Sequence, residues 1–360
     1  MKVIVTERRF PKIDPYKESV ESAGGTVVYG DFKTEEDLIE GLKDATVVVT
    51  FKAPITRKVI ESLENCRLIL RNGAGFDNVD IRAANEQGIP VSSMRGYVND
   101  ELSEHVIALM LAAARDIPYA DKSMRDNNGW GDRRNVNYMG HGTFGVVGLG
   151  EIGRTTVPKA KALGMKVIGY DPYVGKDIFE LLEIERVGFK ELIERSDCVS
   201  VNCQLTAETH HMFSTEEFKS MKNTAVIVNT ARGPIIDEQA LVDAVNNGEI
   251  YSAGLDVFET EPPENTPALS CERIVCSPHH GATTPTGEER CITWGNEEIV
   301  RALKGEALEM VVNPEALWYQ EGKLFSPEGE NWSNARLGSY RDEEVNTSLR
   351  RGFEKEEVKN

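Results

Sequence analysis

The stretch FGVVGLGEIGRTTVPKAKALGMKVIGYD, residues 144–171, decides the fold of this chain. It begins with a β-prone apolar run and continues with the glycine pattern Gly148-x-Gly150-x-x-Gly153. A helix-compatible segment with apolar residues on one side follows, and a second β-prone run ends in Asp171. The order strand, glycine turn, helix, strand and acid predicts a βαβ unit of a parallel α/β sheet.

Each part of this unit has a physical role when a dinucleotide binds. Gly148 permits the tight turn, Gly150 lets a pyrophosphate approach the backbone, and Gly153 lets helix and strand pack closely. The helix N-terminus offers N–H groups and a positive dipole end to the phosphates. Asp171, 18 positions after Gly153, is placed to accept hydrogen bonds from a ribose diol, and its charge opposes the extra phosphate of NADP. We therefore predict an NAD site, with a ligand-free glycine turn as the alternative.

Composition and charge exclude several classes of protein. The chain has 360 residues, which suits two domains, and its net charge of −18 argues against nucleic-acid binding, which needs basic surface. Because no apolar run reaches membrane-spanning length and the first residues lack signal-peptide architecture, we expect a soluble cytoplasmic protein with no membrane partner. The six cysteines show no metal-type grouping, so we expect free thiols and no metal, with a Cys271–Cys276 redox pair as the alternative.

Strand-like and helix-like segments alternate outside the glycine unit as well. Residues 1–98 contain four strand-like runs and a shorter fifth, which predict a parallel sheet covered by helices on both faces. Thr34, with Asp37 in a capping box, and Thr56 are placed to cap two of these helices. Leu102–Arg115 is the most strongly helical segment and is apolar on more than one side, which predicts burial or an interface.

Polar residues follow three successive predicted strands in the second half of the chain. In order, these strands are followed by Arg232, by Asp256 with Glu261, and by His279 or His280. Because the carboxyl ends of parallel strands meet at one edge of a sheet, where open α/β sheets bind ligands, we expect these side chains to converge. In the first half, the loop around Gly73, Ala74 and Gly75 presents N–H groups that suit a small anion, or forms an ordinary turn.

The chain resembles the D-isomer-specific 2-hydroxyacid dehydrogenase family over nearly all of residues 1–314. The resemblance rests on motifs in a fixed order: NGAGFDNVD (72–80), SEHVIALML (103–111), GVVGLGEIG (145–153), NTARGPIIDEQAL (229–241), GLDVFETEP (254–262) and SPHHGATT (277–284). It implies two doubly wound parallel-sheet domains, with a Rossmann NAD-binding domain inserted in a flavodoxin-like substrate domain. It also implies a homodimer and a small 2-keto or 2-hydroxy acid as substrate.

The resemblance sets the expected domain boundaries. The expected parts are the first part of the substrate domain at 1–98, the NAD-binding domain at 99–286 with a dimerisation arm near 101–125, a return helix at 287–314, and a polar C-terminal extension at 315–360.

The resemblance also implies roles for individual residues. Arg232 corresponds to the arginine that binds the substrate carboxylate and polarises the carbonyl, His279 to the acid/base histidine, and Glu261 to its carboxylate partner. The backbone of Gly73, Ala74 and Gly75 corresponds to the loop that binds the substrate carboxylate. The expected cofactor-binding residues are Gly148, Gly150, Glu151, Ile152, Gly153, Asp171, Thr230, Ala231 and Asp256.

The chemistry of hydride transfer needs these residue types. Oxidation of a secondary alcohol requires a base for the hydroxyl proton, and histidine is the usual choice because its ordinary pKa is near neutral. A neighbouring carboxylate favours the imidazolium and orients the ring. A guanidinium binds a planar carboxylate with two parallel hydrogen bonds.

The sequence is consistent with three alternatives, one for the catalytic base and two for the function. His280, which stands where the family often has an apolar residue, is an alternative base to His279. A non-catalytic NAD-sensing protein that resembles the corepressors of this family is an alternative function. A formate-type dehydrogenase is a second, which the presence of Glu261 disfavours.

Overall fold

The alternation of β-branched runs and amphipathic segments forms two separate parallel sheets in the computed structural model of the chain. The structure describes residues 1–8, 14–320 and 323–324. The first unit consists of Met1–Tyr97 and the chain from Thr284 onward, and the second unit is Val98–Thr283. The predicted α/β class with two doubly wound parallel sheets is confirmed.

The first unit contains a five-stranded parallel sheet. Its strands are β1 Lys2–Val5, β2 Thr26–Tyr29, β3 Val47–Thr50, β4 Leu68–Arg71 and β5 Val91–Ser93. The helices between them are α1 Lys17–Ser22, α2 Glu35–Leu42, α3 Arg57–Glu61 and α4 Ile81–Glu86. The strand order β2-β1-β3-β4-β5 is the flavodoxin-like order, in which β2 and β3 pair in parallel with opposite sides of β1.

Two helices of this unit begin at the side-chain N-caps that the sequence predicted. The Thr34 side chain accepts a hydrogen bond from the Asp37 N–H, and the Asp37 carboxylate accepts one from the Thr34 N–H, which completes the capping box of α2. The Thr56 hydroxyl caps α3 by accepting from the Val59 N–H. Each cap satisfies helix N–H groups that have no intrahelical partner.

The second unit contains a seven-stranded parallel sheet. Its strands are β6 Thr143–Val147, β7 Lys166–Tyr170, β8 Glu185–Arg186, β9 Cys198–Val201, β10 Val226–Asn229, β11 Ser252–Leu255 and β12 Ile274–Cys276. Its helices are α5 Asn99–Ala114, α6 Ile117–Asp126, α7 Glu151–Ala162, α8 Lys176–Leu181, α9 Phe189–Arg195, α10 Thr215–Ser220 and α11 Glu238–Asn247, with short 3-10 turns at Gly233–Ile235 and Pro267–Ser270.

The strand order of this sheet places a ligand site at its centre. The order is β12-β11-β10-β9-β6-β7-β8, so the chain leaves β6 toward one edge and later returns to pair β9 with the other side of β6. This is the Rossmann order with one further strand. Ligands of such sheets bind beyond the carboxyl ends of the strands at the point of reversal, which here is the turn after β6.

Helix α5 buries one face in the second unit, where burial or an interface was predicted. It packs against α7, β10 and β11, and its residues Val106, Leu109 and Met110 belong to the core on that face of the sheet. A second apolar cluster covers the opposite face. Strands covered on both faces become continuous hydrophobic runs, as in β9 and β10, where every residue is buried.

The chain then returns to the first unit through α12, Pro285–Lys304, and a 3-10 turn, Pro314–Trp318. Asn313 fixes this return because its buried side chain accepts from the Val91 N–H at 2.6 Å and donates to Asn85 Oδ1 and the Ile89 carbonyl. Two short strands, β13 Tyr319–Gln320 and β14 Lys323–Leu324, complete the described chain. Most of the predicted polar extension at 315–360 lies outside the described residues.

Five helices were not predicted from the sequence, namely α1, α6, α8, α10 and α11. Signals for α11 were available, because Asp237 caps its first turn through the Ala240 N–H and Gly248 ends it with a left-handed φ of +72°. The others except α6 are only six residues long. Runs of that length carry too little amphipathic periodicity to identify a helix.

All six cysteines are free thiols, as expected. Burial raises the pKa of the Cys66 thiol to about 12 and that of the Cys276 thiol to about 11. Both thiols are therefore neutral and unreactive near pH 7. No helix in the described part of the chain is both long and apolar enough to cross a membrane. The cytoplasmic localisation stays a prediction.

Candidate functional site

The glycine turn after β6 has the backbone geometry that its sequence predicted. Gly148 has a φ of +92°, a conformation that side chains rarely adopt, and a Cβ there would lie 2.6 Å from the Cys203 nitrogen. A Cβ on Gly153 would lie 2.1 Å from the Gly148 carbonyl oxygen, so helix α7 packs directly on the turn. A Cβ on Gly150, in contrast, would meet no atom within 4 Å. Gly150 therefore faces open space that a ligand is able to fill.

The N-terminus of α7 is open toward that space. Gly150 is the N-cap residue and provides no side-chain hydrogen bond, and the helical ladder begins with the Arg154 N–H donating to the Gly150 carbonyl. The N–H groups of a first helical turn have no intrahelical partner and attract anions. Arg154 also donates through Nε to the Leu149 carbonyl at 2.7 Å, which stabilises the turn.

Asp171 lies directly beside the turn at the end of β7. Its Oδ2 accepts from the Leu149 N–H at 2.8 Å, and its Oδ1 accepts from the N–H groups of Tyr173 and Val174. A carboxylate has about four acceptor positions, so Asp171 retains capacity for a ribose hydroxyl. An open glycine backbone, an uncapped helix N-terminus and a fixed carboxylate together fit NAD.

The loop after β10 carries Arg232 in a defined position. The buried Asn229 side chain accepts from the Ala231 N–H at 3.0 Å and donates to the Arg232 carbonyl at 2.9 Å, which ties the loop to the end of the strand. A Cβ on Gly233 would lie 1.9 Å from backbone atoms of Phe258, so this loop packs tightly on the loop after β11. The two loops that carry Arg232 and Glu261 are therefore in direct contact.

His279 and Glu261 form the pair expected from the sequence. The Nδ1 atom of His279 lies 2.7 Å from Oε2 of Glu261, although the residues are 18 positions apart. The His279 side chain is 46% exposed, so its ring remains accessible to a substrate. Its φ of +50° lies in the left-handed region, which is uncommon for residues other than glycine and tends to occur at functional sites.

Asp256 lies in a buried hydrogen-bond network behind this pair. Its Oδ1 accepts from the Ser277 hydroxyl at 2.6 Å and from the His280 N–H at 3.0 Å, and its Oδ2 accepts from the Gly281 N–H at 2.9 Å. His105 Nε2 lies 3.3 Å from Oδ1. Burial alone would raise the pKa of Asp256, but these hydrogen bonds outweigh it and hold the pKa below its usual value, so the group is a carboxylate.

The structure adds two residues to the predicted site residues, and it places one predicted loop in the other unit. His105 and Ser277 contact Asp256 but were not identified from the sequence, although His105 is the one histidine in the otherwise apolar part of α5. His280 bonds to Asp256 through its backbone rather than pairing with Glu261. The loop Gly73–Gly75 belongs to the first unit, whereas all the other predicted site residues belong to the second.

Two of the three N–H groups of the Gly73–Gly75 loop are available, whereas that of Gly73 donates to the Arg71 carbonyl at 2.9 Å. The Gly73 carbonyl accepts from the Met94 N–H at 3.0 Å, and the Ala74 carbonyl accepts from the Ser93 hydroxyl at 2.7 Å. Within the described part of the chain, the N–H groups of Ala74 and Gly75 have no hydrogen-bond partner. A loop whose carbonyls are bound and whose amides are open suits a small anion.

Comparison with known proteins gives a consistent result. Residues 107–281 match the model of the D-isomer specific 2-hydroxyacid dehydrogenase, NAD binding domain. The chain is 42% identical over 283 residues to D-3-phosphoglycerate dehydrogenase of Methanocaldococcus jannaschii, a match of 78% of this chain but only 54% of that protein. The chain thus spans about half the length of this relative.

Two further similarities extend over most of both proteins. The chain is 35% identical over 286 residues to glyoxylate reductase of Korarchaeum cryptofilum, covering 78% of this chain and 86% of that protein. The crystal structure of a glyoxylate reductase from Paecilomyes thermophila has a TM-score of 0.78 at 29% identity, covering 87% of this chain and 98% of that one.

The open space at Gly150 generates a testable prediction. We expect Gly150→Ala to weaken NADH binding by at least about tenfold, because a methyl group would occupy the space that a pyrophosphate needs, while the free energy of unfolding falls by no more than about 1 kcal/mol, the cost of alanine at an N-cap. Fluorescence titration with NADH and urea unfolding measure the two quantities.

Gly153→Ala is the matched control, because its Cβ would collide with the Gly148 carbonyl. We expect it to lower the free energy of unfolding by about 1–3 kcal/mol. Unimpaired NADH binding by Gly150→Ala would contradict the assignment of the turn to the pyrophosphate.

Proposed function

This chain belongs to the D-isomer-specific 2-hydroxyacid dehydrogenase family, and from that premise we propose that it interconverts a 2-keto acid and a D-2-hydroxy acid with NAD. The observation that carries this proposal is the contact of 2.7 Å between His279 Nδ1 and Glu261 Oε2. A protein that only senses NAD has no need of an acid/base pair at this edge of the sheet. For the same reason we do not adopt the formate-type alternative, whose chemistry transfers no proton to a carbonyl oxygen.

His279 moves the proton in this proposal. NAD supplies hydride transfer when it is bound. Because Nδ1 of His279 faces Glu261, Nε2 is the ring atom left for the substrate, and it donates a proton to the carbonyl oxygen in reduction or accepts it from the hydroxyl in oxidation. Glu261 fixes the orientation of the ring.

Arg232 binds the substrate carboxylate and polarises the carbonyl. Its backbone is anchored by Asn229, and its Nη1 donates to the Ala231 carbonyl at 2.7 Å, which holds the guanidinium near the end of β10. Two parallel hydrogen bonds to a carboxylate would orient the substrate, and each such charge-assisted bond contributes about 1.5–3 kcal/mol. In the first unit, the open amides of Ala74 and Gly75 support the further assignment of the Gly73–Gly75 loop to the binding of a small anion.

The predicted cofactor residues fall into three groups in this proposal. The turn and helix start bind the pyrophosphate through Gly148, Gly150, Glu151, Ile152 and Gly153. Asp171 binds the adenosine ribose. Thr230, Ala231 and Asp256, which follow β10 and β11, lie toward the nicotinamide end. The support for these roles is the open backbone at Gly150 and the carboxyl-edge position of every group.

We also infer that the protein is a homodimer joined through residues 117–138, the segment that includes α6. Several large apolar side chains of this segment are exposed, namely Ile117 (56%), Met124 (55%), Trp130 (81%), Val136 (41%) and Tyr138 (73%). Exposed apolar residues that cluster in one stretch, rather than being scattered singly, mark an interaction surface. The segment overlaps and extends the arm expected near residues 101–125.

The dimer is tested by placing charge in this segment. We expect the double variant Ile117→Glu/Met124→Glu to be a monomer by light scattering, because two buried charges without partners disfavour an interface. Leu269→Glu, at a residue that is 54% exposed outside the segment, should stay dimeric. A monomeric wild type, or a double variant that remains dimeric, would contradict the inference.

The reaction is tested with NADH and a panel of 2-keto acids that includes glyoxylate, pyruvate and the phosphorylated keto acid derived from D-3-phosphoglycerate. We expect at least one of them to oxidise NADH, and NADPH to be the poorer reductant because of Asp171. Loss of nicotinamide absorbance is the measurement. Turnover of none of them would favour the NAD-sensing alternative, and NAD reduction by formate would favour the formate-type enzyme.

The role of His279 is tested by His279→Asn. Asparagine tolerates the left-handed backbone at this position, so the loop should keep its conformation while the acid/base group is lost. We expect kcat to fall by about 10²–10⁴-fold with NADH affinity retained. His280→Asn is the matched control and should lose far less activity. The reverse ranking of the two variants would transfer the acid/base role to His280.

A further inference from the structure

Two histidines and a carboxylate converge in the second unit at a place that the proposed reaction does not fully use. His105 lies on α5, Asp256 follows β11, and His280 follows β12. One potential ligand atom from each residue lies within 4.8 Å of the others. Within the described ranges, this is the one group of three or more histidine, cysteine, aspartate or glutamate side chains that converge in this way.

The distance between the first two ligand atoms suits a bound ion. His105 Nε2 and Asp256 Oδ1 are 3.3 Å apart. Two ligands bound at about 2.0–2.2 Å to a tetrahedral ion stand about 3.4 Å from each other. These two atoms, one on the partly exposed His105 and one on the buried Asp256, therefore already have the spacing of a metal-bound pair.

The third ligand is able to complete the site. His280 is exposed, and its ring lies edge-on to the His105 ring with 5.2 Å between centroids. Because the ligand atoms lie within 4.8 Å of one another, its ring nitrogen would need to approach by at most about 1.4 Å to reach the ligand spacing of a tetrahedral ion. Because the His280 side chain is not part of the core, a rotamer change is sufficient and no packed element has to move.

The carboxylate has the charge and the lone pairs that an ion needs. Its Oδ1 already accepts from the Ser277 hydroxyl and the His280 N–H, so an ion bound through Oδ1 would displace the Ser277 hydroxyl. Its Oδ2 accepts one hydrogen bond among the described residues, from the Gly281 N–H, and so retains an acceptor position. The Ser277 hydroxyl, 2.9 Å from His105 Nε2, or a solvent molecule would occupy the remaining coordination position.

We propose that His105, Asp256 and His280 form a binding site for a transition-metal ion of the Zn²⁺ class. Two imidazoles and one carboxylate with an open position are a ligand set typical of zinc and related ions. His105 would bind through Nε2 as a neutral imidazole, and any proton shared between His105 and Asp256 is released to solvent when the ion binds. This proposal does not depend on the proposed dehydrogenase reaction.

Other histidine–carboxylate contacts of the unit do not form such a site. His279 with Glu261 and His211 with Glu259 are pairs at 2.7 Å, each with one imidazole and one carboxylate. Two ligands hold an ion far more weakly than three that are already near the required spacing. A binding experiment therefore separates the three-residue site from the two pairs.

The experiment uses the full chain after treatment with a chelator, in the absence of nicotinamide nucleotide. Co²⁺ is added, and the visible d–d absorption reports coordination by protein ligands. We expect one equivalent of Co²⁺ to bind, Zn²⁺ to displace it, and no sulfur-to-cobalt charge-transfer band, because the cysteines lie outside the site. Competition with a chelating dye gives the Zn²⁺ dissociation constant.

Variants assign the binding to this site. Loss of a residue that only orients a metal ligand weakens metal binding by about 10–100-fold. His280→Ala and His105→Gln each remove a ligand itself, so each should weaken Zn²⁺ binding by more than that. His141→Asn is the matched control, because His141 is exposed, lies outside the cluster and has a left-handed φ of +65° that asparagine accepts. It should bind Zn²⁺ as the wild type does.

Two results would overturn the proposal: no d–d spectrum at one equivalent, or wild-type Zn²⁺ affinity in His280→Ala. His280→Ala decides the matter if His105→Gln does not fold, since the His280 side chain is exposed and its backbone hydrogen bond to Asp256 survives the substitution. Circular dichroism of each variant without metal verifies that the fold is kept.

Discussion

The buried carboxylate of Asp256 is the constraint on which the geometry of the candidate site depends. A charge removed from water is tolerated only when donors surround it, because its desolvation otherwise costs several kcal/mol. Here the donors come from α5 through His105 and from the segment after β12 through Ser277, His280 and Gly281. The need to satisfy one carboxylate therefore ties a helix and two loops together.

The conformation of His279 follows from that arrangement. Ser277 on one side and His280 and Gly281 on the other are held by Asp256. Pro278 and His279 therefore bridge a short bend between them, and the φ of His279 is +50°. A left-handed conformation of this kind costs about 1–2 kcal/mol. The surrounding hydrogen bonds offset that cost, and the bend presents the ring to Glu261 at 2.7 Å.

Much of the fold followed from local signals in the sequence. The glycine turn needs Gly148 for a positive φ and Gly153 for close packing, and both requirements are strict because backbone atoms leave no room for a Cβ. The sequence also predicted the apolar strands and the helix caps at Thr34 and Thr56, since each depends on residues within a few positions. The sequence did not predict short helices such as α8 and α10, because six residues show too little hydrophobic periodicity.

The sequence by itself determined the two α/β units, the glycine turn and the set of polar residues that follow β10, β11 and β12, because parallel strands bring their carboxyl ends to one edge. Only the tertiary structure decided which of these residues touch. It paired Glu261 with His279, as the family resemblance implied, and it brought His105 from α5 to Asp256, which the sequence did not indicate. The physical reason is that burying a charge demands particular donors in three dimensions, and sequence spacing does not encode which distant side chains will supply them.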